Sequence, residues 1–121
     1  MTCPLCSPER EIIAANANAI AIYDGFPVSD GHTLVIPRRH VASVFDLDDE
    51  EYQACFNLVR DVRDILEGLH GTTAFNVGIN CGEIAGQTID HAHIHVIPRY
   101  PGDMDDPRGG VRHIIPGKGY Y

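Results

Sequence analysis

Apolar and polar positions follow two rhythms along this chain, and each rhythm predicts its own kind of element. Ala19-Ile20-Ala21-Ile22-Tyr23 and Thr33-Leu34-Val35-Ile36 are short runs of β-favouring residues, divided by the turn formers Asp24-Gly25-Phe26-Pro27 and Asp30-Gly31. They predict two neighbouring antiparallel strands joined by a loop. Pro37 ends the second run, because its nitrogen has no hydrogen to give to a ladder. From Asp48 the spacing lengthens: Tyr52, Cys55, Phe56, Val59, Val62, Leu66 and Leu69 recur at steps of three and four. That spacing predicts one amphipathic helix of roughly 20 residues, opened by a capping box of Asp48 with Glu51 and closed near Gly68 or Gly71. Its acids and arginines fall mostly on the opposite face, which reads as a solvated surface.

Beyond the helix, residues 73–80 read as a strand and Cys81-Gly82-Glu83-Ile84-Ala85-Gly86 as a glycine-bearing loop. A last strand is expected from about Asp90 to Ile97, ending at Pro98. The tail carries Pro101, Pro107, Pro116 and five glycines without periodicity, so it reads as an extended arm or loop. There is no internal repeat.

Composition narrows this picture. A length of 121 residues suits one α+β or α/β domain, and 44% apolar with 21% charged residues argues against disorder, collagen or coiled coil. No apolar run reaches membrane-spanning length, and the first six residues lack the basic and apolar stretches of a secretory signal, so a cytoplasmic address is expected. The net charge of −8 argues against a general nucleic-acid binder, which presents a basic patch to phosphates. A small anionic substrate would have to be met by local positive charge, and the basic residues are uneven: Arg38 and Arg39 follow one strand, Arg99 another, and Arg108 and Arg112 lie in the tail.

His91-Ala92-His93-Ile94-His95-Val96-Ile97 is the most informative segment. Alternation on a strand sends the three histidines to one face, roughly 7 Å apart in sequence order, and Ala92, Ile94 and Val96 to the other. That separation is too great for one extended strand to bring all three rings onto a single metal with bonds near ~2 Å. A solvated or core-satisfied row of histidines is the plain alternative, against which stands the crowding of three rings that no anion or metal uses. A neutral imidazole suits attack on phosphorus, and a neighbouring ring can protonate a leaving group or hold a phosphate oxygen. Gly82, Gly86, Gln87 and Thr88 upstream offer backbone amides and neutral donors, which phosphoryl transfer needs for positioning.

The histidine run, the preceding Ala85-Gly86-Gln87-Thr88, and Gly31-His32-Thr33-Leu34-Val35-Ile36-Pro37 followed by Arg38-Arg39-His40 together resemble the histidine triad, or HIT, family. The resemblance covers most of residues 1–100, taken as the domain, with residues 101–121 as an arm of the same unit; the His95 to Arg99 stretch looks closer to the dinucleoside polyphosphate hydrolase branch. It implies an α+β fold with an antiparallel sheet of about five strands, one long helix and an extended C-terminal tail. It implies a homodimer formed through the helix and the strand at residues 74–80. The catalytic set it implies is His93 as the nucleotidylated residue, with His95, Gln87 and Thr88 assisting. His32, Asn80, Gly86, Ile20, Ile22 and Asp24 would line the substrate site. Arg99 is added on charge grounds, with Arg108 and Arg112, as a partner for distal phosphates or leaving group, or else as a tie between tail and body through acids such as Asp103.

Cys3-Pro4-Leu5-Cys6 has the spacing of a zinc-chelating pair and needs two further ligands. A redox role would want the pair at a helix N-terminus after a strand, and reduced thiols without metal remain the alternative. In HIT members that resemble this chain, such a pair binds structural zinc with histidines at the positions of His40 and His91. Cys55 reads as core, Cys81 as a loop residue, His70 as a surface residue, and His113 as uninformative.

The expected activity is hydrolysis of a dinucleoside polyphosphate at its α-phosphate through a nucleotidyl-histidine intermediate. Rivals are hydrolysis of a nucleoside phosphoramidate, a nucleotidyltransferase or phosphorylase reaction, and a non-catalytic zinc-stabilised nucleotide-binding module.

Overall fold

A computed structural model describes residues 3–121. Five strands run in the order β1 (Ile12–Ala15), β2 (Ala19–Tyr23), β3 (Thr33–Pro37), β4 (Ala74–Gly78) and β5 (Ile94–Arg99), with one helix, α1 (Asp49–His70), between β3 and β4. They form a single antiparallel sheet ordered β1-β2-β3-β5-β4. This is the α+β arrangement that the resemblance implied.

Alternation on the strands sorts the core into two layers. Ala19, Ala21, Val35, Ile94 and Val96 pack beneath Cys55, Leu58, Val62 and Leu66 of α1. The two alanines of β2 let the helix approach the sheet closely. On the other face Ile20, Ile22, Leu34 and Ile36 are covered by Leu5, with Cys3 and Ile89 packed at the margin. The N-terminal segment is therefore a lid on the sheet face opposite the helix. Burying a side chain such as Leu5, 5% exposed, contributes on the order of 2 kcal/mol.

The helix begins where the capping box was expected. Asp48 accepts the Glu51 N–H at 2.8 Å, and the Glu51 carboxylate accepts the Asp48 N–H at 3.1 Å. It closes at Gly71, whose φ of 72° is the left-handed conformation that glycine adopts without penalty. The buried stripe is Cys55, Leu58, Val62 and Leu66, which omits four residues of the expected set: Phe56 and Val59 are half-buried at its margin, while Tyr52 is 41% and Leu69 65% exposed.

Three expectations need correction. The final strand starts at Ile94, not near Asp90, so His91 and His93 precede the ladder instead of sharing its alternation. β1 gives no sequence signal, because Ile12–Ala15 is an edge strand with only its two middle residues half-buried, which leaves no clear period of two. The tail is not merely extended, since Gly110–Ile114 forms a 3₁₀ turn against β4.

Arg39 binds both Glu51 carboxylate oxygens, at 2.9 and 2.8 Å, and this guanidinium holds the Glu51 carboxyl down to about 2, helped by the Asp48 backbone bond. A depressed carboxyl stabilises the fold above its ordinary titration range, and that contribution disappears as pH falls through about 4.5 towards 2. Glu51→Gln should therefore cost about 1–2 kcal/mol at neutral pH and converge on the wild type near pH 2. Thermal melts across that range check it, and a gap independent of pH would refute the ionic origin.

Candidate functional site

Where β5 begins, the histidines of the triad diverge. His91 is completely buried; its Nε2 donates to the Pro37 carbonyl at 2.8 Å, which leaves Nδ1 with a free lone pair. That lone pair faces Cys3 Sγ and Cys6 Sγ, each at 3.5 Å, while His40 Nδ1 lies 3.1 Å from Cys6 Sγ. The four ligand atoms all fall within 4.8 Å of one another. A tetrahedron with metal–sulfur bonds near ~2.3 Å and metal–nitrogen bonds near ~2.0 Å has sulfur–nitrogen edges of about 3.5 Å, which the three sulfur–nitrogen distances above approach, so the donor set suits a metal ion. The Pro37 carbonyl supplies the outer partner that fixes a ligating histidine in the correct tautomer.

His93 is oriented by the backbone just before it. Its Nδ1 lies 2.9 Å from the His91 carbonyl and must carry the proton, because a carbonyl can only accept. The Nε2 lone pair is left free. The His95 ring sits beside it, with ring centroids 5.1 Å apart and planes at 67°. These two half-buried rings are thus closer than strand spacing alone would put them, because His93 lies outside the ladder.

A second chain of bonds fixes His95. The Val28 N–H donates to His32 Nδ1 at 3.1 Å, so the His32 proton sits on Nε2, and that atom lies 2.9 Å from His95 Nδ1. His95 Nδ1 must then accept, which places the His95 proton on Nε2. The Asp24 carboxylate stands 3.4 Å from His32 Nε2 and 4.0 Å from His95 Nδ1. Asp24, His32 and His95 are close enough to grip a cation, but the Val28 bond decides otherwise: a metal on His32 Nε2 would have to displace the proton that the Nδ1 bond requires there. The geometry is that of a hydrogen-bond relay. Burial lowers the pKa of both rings below the usual histidine value, reinforced at His95 by its histidine neighbours and opposed in both by Asp24. Both stay neutral at pH 7.

The other residues singled out by sequence fall into groups. Leu34 and Gly78 are the ladder partners of His95 on either side. Gln87 braces the glycine loop, accepting from the Gly82 N–H at 2.9 Å and donating to the Ala42 and Ile89 carbonyls at 2.7 and 2.9 Å. Thr88, Asn80 and Gly86 are exposed in that region, with Gly86 in the left-handed conformation at φ 97° beside Asn80. Ile20 and Ile22 belong to the core layer under Leu5, and Ile22 has no exposed surface. Arg99 is held by Asp103 through two 2.8 Å bonds and by Asn76 at 2.6 Å. Arg108 pairs with Asp106 at 3.4 Å, and Arg112 donates to the Gly119 and Lys118 carbonyls.

Sequence reasoning missed the positioning roles of Val28 and Pro37, which act through backbone atoms and so leave no trace in side-chain chemistry. It also misplaced His70. That ring is half-buried against Gly31, where a Cβ would come within 2.8 Å of its Nε2, and this nitrogen is buried without a partner.

A small antiparallel α+β domain with two oriented histidines beside a Cys2His2 cluster defines a narrow class of protein. The HIT domain model matches residues 8–102, and the chain belongs to the HIT family. It is 41% identical over 88 residues to an uncharacterized HIT-like protein of Mycoplasma genitalium, covering 73% of this chain and 62% of that one. It is 41% identical over 80 residues to the asymmetrical bis(5'-nucleosyl)-tetraphosphatase of Schizosaccharomyces pombe, covering 66% and 44%. The adenosine 5'-monophosphoramidase of the same yeast is 38% identical over 87 residues, covering 72% and 62%. The chain thus spans less than two thirds of the length of these relatives. Among solved structures, a Zn-bound histidine triad family protein from Mycobacterium smegmatis superposes with a TM-score of 0.75 at 33% identity, covering 85% and 78%.

The cluster predicts one equivalent of Co²⁺ bound per chain, with the intense thiolate charge-transfer and tetrahedral ligand-field bands of a sulfur-containing site. Cys3→Ser with Cys6→Ser should abolish the charge-transfer bands and lower thermal stability. Bands that persist in the double variant would place the metal elsewhere.

Proposed function

We propose that this chain is a nucleotidyl hydrolase that cleaves a dinucleoside polyphosphate at its α-phosphate, in the manner of the dinucleoside polyphosphate hydrolase branch. The observation that carries the reading is the fixed tautomer pair: a free lone pair on His93 Nε2 beside an N–H on His95 Nε2. The similarity to a tetraphosphatase supports the substrate class.

In the first step His93 Nε2 forms a bond to the α-phosphorus while the bond from phosphorus to the bridging oxygen breaks, and the shortened nucleotide departs with that electron pair. The positive charge that develops on the ring is shared with the His91 carbonyl through Nδ1–H. His95 Nε2–H donates to a phosphate oxygen, which stabilises the extra charge of the transition state. Thr88, Asn80 and the amides near Gly86 hold the remaining oxygens, while His32 and Asp24 border the nucleoside end and Ile20 and Ile22, buried under Leu5, support it from the core. Water then bonds to phosphorus as the phosphorus–nitrogen electron pair returns to His93 Nε2, the water's surplus proton passes to solvent, and a nucleoside monophosphate leaves. A phosphoramidate substrate would share the first step, and similarity to a monophosphoramidase favours it as the second reading. Phosphate in place of water would make the reaction a phosphorolysis.

Zinc is the metal proposed for Cys3, Cys6, His40 and His91, supported by the thiolate and imidazole donor set and by a Zn-bound neighbour of the same fold. Such a site supplies folding energy, not chemistry, because its four protein ligands leave no open position. We further propose one unit comprising the domain of residues 1–100 and its tail, and a cytoplasmic homodimer acting on nucleotides and not on nucleic acid or membranes. Apolar side chains left open on α1 and β4, namely Tyr52, Leu69 and Val77, support self-association. Light scattering at micromolar concentration should give twice the chain mass, and a monomer would overturn this part.

His93→Ala should abolish turnover while nucleotide binding largely survives. His95→Ala and Thr88→Ala should be milder, each losing about 10²- to 10³-fold in rate. Rapid quenching of the wild type should trap an acid-labile nucleotidyl adduct on His93. An adduct on His95, or inversion at a chiral α-phosphorothioate, would contradict the two-step path, because two in-line displacements give net retention.

A further inference from the structure

Beyond His95, strand β5 carries two more residues on the same face. Ile97 and Arg99 alternate with the buried Val96 and Pro98, so they continue the surface on which His95 stands. Asn76 on β4 is the ladder partner of Ile97 and shares that face. Between this strip and the β2–β3 loop lies an open cavity of about 340 Å³, lined by the apolar Val28, Ile97 and Met104 and by the polar Asn76, Arg99 and Asp103.

The charge of this cavity is the decisive feature. A free arginine here would suit a phosphate, but Asp103 neutralises Arg99 through two bonds of 2.8 Å, and Asn76 takes a third guanidinium nitrogen at 2.6 Å. Arg99 and the Tyr100 N–H hold the Asp103 carboxyl down to about 2, so the pair stays ionised and closed across the neutral range. An arginine whose charge is balanced by a two-bond carboxylate pair, with three of its five N–H groups engaged, offers less to an anion than a free one. What remains is three apolar side chains beside a charge-balanced polar patch, with the Asn76 Nδ2 left to donate. That combination suits a planar heterocycle.

Val28 links this cavity to the histidines. It is one of the lining residues, and its backbone N–H fixes the tautomer of His32 and hence of His95. A ligand pressed against Val28 would steady the loop from which the relay hangs. Ser29 and Asp30 anchor the same loop to the end of β5, by the Ser29 hydroxyl on the Pro98 carbonyl and the Tyr100 hydroxyl on the Asp30 carbonyl.

We infer that this cavity is the subsite for the leaving nucleoside of a two-nucleoside substrate, receiving its base between Val28, Ile97 and Met104 while the phosphate chain runs back along β5 to His93. The inference rests on the hydrolase reading above and deepens it. It assigns to Arg99 the shaping of a charge-balanced patch instead of the binding of a phosphate.

Equilibrium binding in the His93→Ala protein tests it without turnover. Diadenosine triphosphate should bind about tenfold more tightly than adenosine triphosphate, which has one adenosine and the same number of phosphates. Met104→Ala and Ile97→Ala, each added to His93→Ala, should cut the affinity for diadenosine triphosphate about three- to tenfold and leave that for adenosine triphosphate unchanged, in line with the loss of one apolar contact. Equal affinities for the two ligands in the parent, or equal losses on both in the variants, would overturn the subsite. In the wild-type background, Met104→Ala should raise KM for diadenosine triphosphate and spare both kcat and the hydrolysis of adenosine phosphoramidate. Wild-type protein that cleaves only the phosphoramidate would overturn the hydrolase reading instead, and the binding comparison would still decide the subsite.

Discussion

The 2.8 Å bond from the buried His91 ring to the Pro37 carbonyl is the constraint from which most of the site follows. It settles which nitrogen of His91 keeps its lone pair, and so aims Nδ1 at Cys3 and Cys6. The same residue's carbonyl fixes His93 the other way round, with its proton on Nδ1 and its lone pair outward on Nε2. One residue thereby joins three parts of the molecule: the N-terminal lid, the end of β3 and the candidate nucleophile. Its burial is affordable only because every polar atom of the ring has a partner, since an unpaired polar group in that place would cost about 1–3 kcal/mol.

This division of labour explains how adjacent histidines can differ so sharply. His91 belongs to the scaffold, and His93 and His95 belong to the surface where a substrate can reach them. The strand ladder starts only at Ile94, so the chain is free to turn His91 inward before regular alternation takes over. Had all three stood on one regular strand, a single environment would have served them all.

Much of this was legible beforehand. The capping box at Asp48 and Glu51 and the glycine stop at Gly71 mark the helix because both signals act within one turn of chain. The pairing of β2 with β3 could be read from two apolar runs around a short loop. The cluster of Cys3, Cys6, His40 and His91 was reached through resemblance, not spacing, since ligands 88 residues apart carry no local signal. Three things were not legible. The onset of β5 depends on which residues find ladder partners on β3 and β4, a tertiary matter. The tie from Arg99 to Asp103 was one of two readings the sequence left open, and the choice between them depends on the turn at Gly102, where φ is 80°. The contribution of Val28 lies wholly in its main chain, where any residue but proline would look the same.

That last bond has a consequence for how charge can move. A backbone amide gives its hydrogen and never takes one, so the sequence from Val28 through His32 to His95 has a fixed polarity. His32 has no vacant nitrogen on which to receive a proton while that bond stands. The chain is consequently a rail and not a wire: it can aim the His95 hydrogen outward, but it cannot drain a proton inward. A proton arriving at His95 would find solvent or the Asp24 carboxylate, 4.0 Å away, and not the interior behind His32.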